Sequence, residues 1–334
     1  MDSVELSVII PIYNPDIEQF QRTVENLREV ALPMEILLVD DGSKPYIRAF
    51  CERELNDGRA RYIWQENAGV SAARNAGIER ARGRYLFFLD ADDEIPPEFV
   101  DFLNHRWNEV QGDWVLFNIL EYRIKTGQWV DRRMFERDCT LMVDQAIDLA
   151  LKGDLYECWG KLIAKESLLR FAIRFPVGMT QGEDARFNTE LLLHVSNVQA
   201  FAVSAYVYFN ELKNTDRLFK NPRQRFADLE QSVLLTVGLL QKRTGDNAPG
   251  LEKAHRAEIA RGVGSDCIWL SKAGLLDREL RDYLNEWLHR NVFIDGVRIS
   301  DANGLKGKLY FFLLRWKLWG GFWILGKMKR SRPK

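Results

Sequence analysis

Arg84-Tyr85-Leu86-Phe87-Phe88-Leu89-Asp90-Ala91-Asp92-Asp93 joins an apolar, aromatic-rich run to three carboxylates. Its composition predicts a β-strand that ends where the acids begin. Three similar runs precede it: Leu6–Ile10 (LSVII), Glu35–Val39 (EILLV) and Ala60–Trp64 (ARYIW). The ends of the four runs lie about 25–30 residues apart, the spacing of strand–helix–strand units and hence of a parallel sheet. Helical patterns fill the gaps. Ile17, Phe20, Val24 and Leu27 recur every three to four residues, and Val70–Ala81 (VSAARNAGIERA) is rich in helix-favouring alanine.

Each strand is followed by a polar cluster. These are Pro11-Ile12-Tyr13-Asn14, Asp40-Asp41-Gly42-Ser43, Gln65-Glu66-Asn67-Ala68-Gly69 and Asp90-Ala91-Asp92-Asp93. In a parallel α/β sheet all four open onto the carboxyl edge, where such folds bind ligands. The three acids at 90–93 repel one another unless a cation or solvent relieves them. Hard carboxylate oxygens suit Mg²⁺ or Mn²⁺, shared with substrate phosphates. The same acids also fit a solvated loop capping a helix that starts near Pro96-Pro97. Asp40 is placed to accept hydrogen bonds from a base or ribose, whereas Gly42 and Ser43 read as turn and cap. Arg74, early in the helix after Gly69, suits a base carbonyl or a phosphate, or else a surface ion pair. No GxGxxG follows the first strand and no GxxxxGK[ST] occurs, which disfavours a dinucleotide-binding domain and a P-loop.

Beyond residue 105 the pattern changes. Trp114–Glu121 reads as a strand, with turn residues Lys125-Thr126-Gly127 before Gln128-Trp129-Val130, and the mixed pieces up to Asn210 predict a sheet completed by antiparallel strands. Pro222–His289 is mostly helical, with a break at Gly245–Gly250. The 334 residues carry 47 Lys and Arg against 48 Asp and Glu, a net charge of −1, which argues against a dedicated nucleic-acid partner. At 46% hydrophobic and 28% charged, the composition is that of a globular protein of one large or two smaller domains. Leu6–Ile12 is short, broken by Pro11 and preceded by Asp2 and Glu5, unlike a signal peptide. Cys51, Cys139, Cys158 and Cys267 lie far apart, and the four histidines form no close pair, so neither a zinc ribbon nor a histidine metal site is indicated.

Four ordered segments carry a resemblance. Ser7-Val8-Ile9-Ile10-Pro11-Ile12-Tyr13-Asn14, Leu37-Leu38-Val39-Asp40-Asp41-Gly42-Ser43, Asn67-Ala68-Gly69-Val70-Ser71-Ala72-Ala73-Arg74-Asn75 and Phe88-Leu89-Asp90-Ala91-Asp92-Asp93 are similar to the motifs of family 2 glycosyltransferases. Cys158-Trp159-Gly160-Lys161-Leu162-Ile163 and Gln181-Gly182-Glu183-Asp184-Ala185-Arg186-Phe187-Asn188 resemble the acceptor-side motifs of bacterial members. Many relatives have Trp-Asn-Lys where this chain has Trp159-Gly160-Lys161. The resemblance covers roughly residues 4–215. It implies an α/β fold of the GT-A, Rossmann-like type, a mixed sheet with flanking helices followed by a helical C-terminal region. The implied domains are a catalytic domain at 1–215 (nucleotide-sugar half 1–105, acceptor half 106–215), a helical region at 216–300 and a membrane-associating tail at 301–334.

The resemblance also implies roles. Pro11 and Tyr13 would line the nucleobase pocket and Asp40 would hydrogen-bond the base, typically uracil. Arg74 would lie beside the base or diphosphate, and Asp90 would contact the ribose. Asp92 would bind the divalent metal, Mg²⁺ or Mn²⁺, and Asp93 would border the donor sugar or assist the metal. Asp184 would be the catalytic base of an inverting transfer from a UDP-sugar. Read without the resemblance, Glu183 and Asp184 are acids at the favourable end of a helix dipole.

The charge is segregated. Leu305–Lys334 holds nine basic residues and no acid, leaving 38 basic against 48 acidic residues in the remainder. Seven aromatic residues are interspersed there, and Arg315 and Lys317 interrupt the longest apolar stretch, which argues against a spanning helix. Basic and Trp side chains suit a membrane interface, although a core helix with a solvated basic end fits as well. The expected protein is therefore a metal-dependent enzyme, cytoplasmic and peripheral on the inner face of the cell membrane. It would transfer a hexose or N-acetylhexosamine to a lipid-linked saccharide in polysaccharide biosynthesis, with no nucleic-acid partner. A sugar-nucleotide pyrophosphorylase would need a Gly-rich basic loop after the first strand, which Pro11–Asn14 is not. A catalytically inactive nucleotide-binding module at the membrane is the remaining alternative.

Overall fold

A computed structural model of the chain describes residues 4–54, 58–152, 154–179, 182–210, 221–244, 248–290, 298–299 and 304–328. The four expected strands are present as β1 (Leu6–Ile12), β2 (Met34–Asp41), β3 (Ala60–Gln65) and β4 (Tyr85–Phe88). Helices α1 (Ile17–Glu25), α2 (Pro45–Glu54) and α3 (Val70–Arg80) connect them. β1 pairs in parallel with β2 on one side and β4 on the other, and β2 pairs in parallel with β3. Both faces of β1 and β2 are buried, as a parallel sheet covered by helices requires. Pro11 is accommodated because β4 pairs only as far as Ile9, so Pro11 lies past that ladder.

The chain continues through α4 (Pro97–His105), β5 (Trp114–Arg123), β6 (Gln128–Arg132), β7 (Cys139–Leu141), α5 (Val143–Lys152), β8 (Lys161–Ala164), α6 (Lys165–Arg170), α7 (Glu183–Leu192) and β9 (Val198–Asn210). The nine strands form one sheet in the order β3-β2-β1-β4-β8-β5-β9-β7, with β6 beside β5. The sequence reading of an antiparallel second half holds for β8 against β4 and β5, for β6 against β5 and for β7 against β9. It fails for β9, which runs parallel to β5 with a register shift around Asn118. Long crossovers between two strands produce parallel pairing, and here the connection contains three helices. Asn118 fastens the irregularity: its amide bonds Phe135 O, and its Oδ1 accepts from the N–H groups of Met134 and Phe135.

At the amino edge, Glu35 is buried and gathers three elements. It accepts from Ser7 of β1, from the Arg82 backbone and side chain after α3, and from Arg61 of β3. These donors outweigh burial and hold the Glu35 carboxyl below the usual range. Gly83 allows the chain to cross here, because a Cβ would meet the backbone of Leu6 and Ser7.

The chain divides into two compact units. The first contains the sheet. In the second, α8 (Pro222–Thr244), α9 (Ala248–Ala273), α10 (Arg278–Arg290), α11 (Gly304–Arg315) and α12 (Trp319–Met328) build a core around Phe226, Cys267, Trp287 and Phe311. The expected helical region is thus present. Of the break expected at 245–250, residues 245–247 lie outside the described residues, as do Gln181 and the last four basic residues of the tail. No helix among the described residues is long and apolar enough to cross a membrane.

Candidate active site

Because β1 to β4 are parallel, the segments after them emerge at one edge. Chain order runs outward from β1 to β3, then returns to the other side of β1 for β4. The loops after β1 and β4 therefore part at a topological switch point. Pro11 is the penultimate residue of β1, and Tyr13 stands 55% exposed beyond it. Asn14 ties this loop to the next: its N–H donates to Ser43 Oγ and its Oδ1 accepts from the Lys44 N–H, each at 2.9 Å.

Asp40 is fully buried. One oxygen accepts from the Ser43 N–H at 2.8 Å and the other from the Tyr62 hydroxyl at 2.5 Å. Burial and then this hydrogen bond push the Tyr62 hydroxyl well above its usual range, so it remains a donor. Asp41 accepts from Gln65 and from the N–H groups of Ala68 and Gly69. That fixes the entry to α3, where Gly69 adopts φ 91°, a conformation that only glycine takes at low cost.

The Asp90–Asp93 turn is held from two sides. Tyr206 of β9 spans it, donating to Asp93 Oδ2 at 2.7 Å and accepting from the Asp90 N–H at 3.2 Å. The Phe209 N–H donates to Asp93 Oδ1 at 2.9 Å. From α1, Gln19 and Thr23 donate to the carbonyls of Asp92 and Ala91. One oxygen from each of Asp90, Asp92 and Asp93 lies within 4.8 Å of the others. Burial, followed by the charges of Asp90 and Asp92, pushes Asp93 up to about 8.

Arg74 links this turn to a distant segment. Only 4% exposed, it donates from Nη2 to Asp90 Oδ1 at 2.9 Å and from Nη1 to Asp184 Oδ1 at 2.7 Å. Its guanidinium stacks over Phe175, 5.3 Å from the ring centroid. Asn75, the next residue, pairs with both the N–H and the C=O of Phe175 at 2.8 Å, so α3 fixes the stacking ring as well. Asp184, at the start of α7, also accepts from the Cys158 N–H at 3.2 Å. Burial pushes Asp184 above the usual carboxylate range and Arg74 opposes that shift. Burial and the Asp184 charge push Glu183 up as well.

The strand-end segments, with Arg74 and Asp90–Asp93, fall within a known family model, whereas Asp184 lies beyond it. The model for glycosyl transferase family 2 matches residues 7–166. The match supports the family 2 glycosyltransferase expected from the motifs. Glycosyltransferase GlyA of Streptococcus pneumoniae is 30% identical over 218 residues, which is 61% of this chain and 30% of that protein. Putative glycosyltransferase EpsH of Bacillus subtilis is 29% identical over 181 residues, 53% of this chain and 52% of EpsH. The chain thus spans about a third to a half of the length of these curated relatives. Among solved structures, S. aureus TarS 1-349 matches with a TM-score of 0.68 at 18% identity, over 98% of this chain and 91% of that one. The same TarS segment in complex with UDP-GlcNAc matches with a TM-score of 0.69 at 18% identity, over 98% and 92%. At that identity the likeness establishes the fold, which is the GT-A-like mixed sheet expected from the motifs.

Of the residues singled out in the sequence, Arg74, Asp90 and Asp184 are brought into direct contact. Asp92 and Asp93 share the carboxylate turn with Asp90. Asp40, Pro11 and Tyr13 occupy the same strand edge, with Asp40 bonded inward to Ser43 and Tyr62. The donor set fits a divalent cation: three hard carboxylates converge, and partly exposed Asp92 leads toward solvent while Asp93 is committed to β9. Gly160, where the family pattern has Asn, adopts φ 67°. Glycine and asparagine are the residues that best tolerate this conformation, so the backbone explains the exchange. The turn places Trp159 in a stack with Tyr206 at 4.4 Å and Tyr208 at 5.5 Å. Tyr206 and Phe175 are not marked by any sequence motif, and Asn75 stands within one without a role of its own. Tyr206 lies 116 residues from Asp90, and no local pattern connects them.

Proposed function

We propose that the protein is an inverting, metal-dependent glycosyltransferase that uses a UDP-sugar. The observation that carries this reading is the Arg74 bridge, which sets a carboxylate turn and a second, raised-pKa carboxylate on either side of one guanidinium. The TarS likeness supports a UDP-sugar as donor. Pro11 and Tyr13 would bracket the base, and Asp40 would shape that pocket through Ser43 and Tyr62. Asp90 would meet the ribose, and Asp93 would hold the turn in place against β9 while Asp92 takes the metal. A bound Mg²⁺ or Mn²⁺ would neutralise charge on the departing diphosphate.

Asp184 takes the proton from the acceptor hydroxyl. The hydroxyl oxygen then attacks the anomeric carbon from the face opposite the nucleotide, the bond to UDP breaks, and the configuration inverts. Burial makes Asp184 a better proton acceptor than a surface carboxylate, and Arg74 keeps enough of it ionised to act. The acceptor in this reading is a lipid-linked saccharide in surface-polysaccharide assembly, met at the inner face of the cell membrane. It rests on the basic aromatic tail.

A panel of UDP-sugars with Mn²⁺ and membrane-extracted acceptors tests the reading, followed by nucleotide release, product mass and the anomeric proton coupling of the product by NMR. One donor should release UDP and give a product heavier by one glycosyl residue, with inverted anomeric configuration. Absence of turnover with every UDP-sugar would overturn it.

A further inference from the structure

The C-terminal helices bury one face and leave another uncovered. In α11, Tyr310, Phe311, Leu313 and Leu314 enter the core of the helical unit. Gly264 of α9 permits the approach, since a Cβ there would stand 2.5 Å from the Tyr310 Cβ. The opposite face carries Leu305, Leu309, Phe312 and Trp316. The spacing of four, three and four residues places them in one stripe at about 100° per residue. The stripe is continuous into the turn, because the Trp316 N–H still bonds Phe312 O at 3.1 Å. Leu305 is 88% exposed and Trp316 62%. Trp323 and Ile324 add a second exposed apolar pair on α12.

Exposed apolar side chains alone do not identify an occupant. Here the flanks do. At the same angular spacing, Lys306 falls on one side of the stripe and Lys308 and Arg315 on the other. Lys317 follows in the turn, and Lys327 stacks on Trp323 at 3.7 Å. No acid occurs from Leu305 onward. A protein partner's patch would bring both signs of charge to its rim. Within this segment the only charged residues are cations, and set among leucine, phenylalanine and tryptophan they match an anionic headgroup layer over acyl chains. A buried inner face also distinguishes this element from a free amphipathic peptide: the outward stripe is already held by the core before any lipid is met.

We propose that α11 and α12 form a preformed docking face for an anionic lipid surface. Leu305, Leu309, Phe312, Trp316, Trp323 and Ile324 enter the interface, and Lys308 and Lys317 beside them pair with phosphate headgroups. The inference rests on the membrane location proposed above and assigns it to residues.

The test uses the full-length chain with phosphatidylglycerol-rich vesicles and with pure phosphatidylcholine vesicles. The double variant Phe312→Ser/Trp316→Ser is compared with wild type, and Trp129→Ser, an exposed tryptophan on β6, is the control. Wild type and control should pellet with the anionic vesicles, less so as salt is raised. The stripe variant should lose at least about tenfold in vesicle affinity while keeping its circular dichroism and UDP release. If the stripe variant pellets as wild type does, the docking face is overturned while the membrane location stands. If wild type pellets with no vesicle, both fall, and UDP release still reports separately on sugar transfer. A wild type that is dimeric without lipid, beside a monomeric stripe variant, would overturn the lipid face in favour of a second copy of this chain.

Discussion

Arg74 is the residue through which the candidate site is assembled, and two substitutions there separate charge from geometry. Its guanidinium satisfies Asp90 and Asp184 together, a task that suits a fork and not a point charge. Arg74→Met leaves two half-buried carboxylates facing each other and should cost about 3 kcal/mol of stability. It also removes the cation that opposes the upward shift of Asp184. The Asp184 pKa then rises, and if Asp184 is the base as proposed, it is protonated to higher pH and the acid limb of kcat/KM moves up. Arg74→Lys restores the charge but bridges poorly, so the limb should return most of the way with kcat still low. A pH–rate profile with an unmoved acid limb in Arg74→Met would detach Arg74 from the base. Asp184→Asn should retain UDP binding and lose transfer by roughly a hundredfold or more, read by nucleotide release. The acids at 90–93 were legible because they end a strand. Tyr206 was not, since its partnership arises from the pairing of strands far apart in the chain.

Among the elements, the amino edge of the sheet has its own keystone. Glu35 joins β1, β3 and the chain after α3, and its donors hold its pKa below the usual value of 4.5. A carboxyl depressed in the folded state contributes stability that is present above about pH 4.5 and lost as pH falls through the folded pKa. Glu35→Gln should therefore be less stable than wild type at neutral pH by about 1–2 kcal/mol. Its stability should also change less on acidification below about pH 4.5, measured by urea unfolding across pH. Parallel stability profiles for the two proteins would remove Glu35 from this role. The elements themselves were unequally readable. β1 to β4 announce themselves by apolar runs of regular spacing, and parallel order follows from that spacing. The four residues of β8 are too short to stand out, and the direction of β9 is set by a crossover, not by anything within Val198–Asn210.

For the whole molecule, a net charge of −1 conceals two bodies of opposite character, as the tail's nine cations against an acidic remainder already indicated in the sequence. The acidic body concentrates its least compatible charges at Asp90, Asp92 and Asp93, and such a cluster is relieved when a divalent cation and a diphosphate arrive together. Binding to the folded state alone stabilises it by about 2.7 kcal/mol at a ligand concentration a hundred times Kd. For a unit the size of the sheet-containing body this corresponds to an increase in Tm of about 5–10 °C. UDP with Mn²⁺ should produce that shift, whereas UDP with a chelator should produce less. Asp92→Asn should abolish the difference between the two, because the remaining carboxylates are bonded to Arg74 and to β9. Differential scanning fluorimetry reads all four combinations in one experiment. A UDP-induced shift that is the same with chelator as with Mn²⁺ in the wild type would mean that the diphosphate is held without a metal. Arg74 would then be the first cation to test as its replacement.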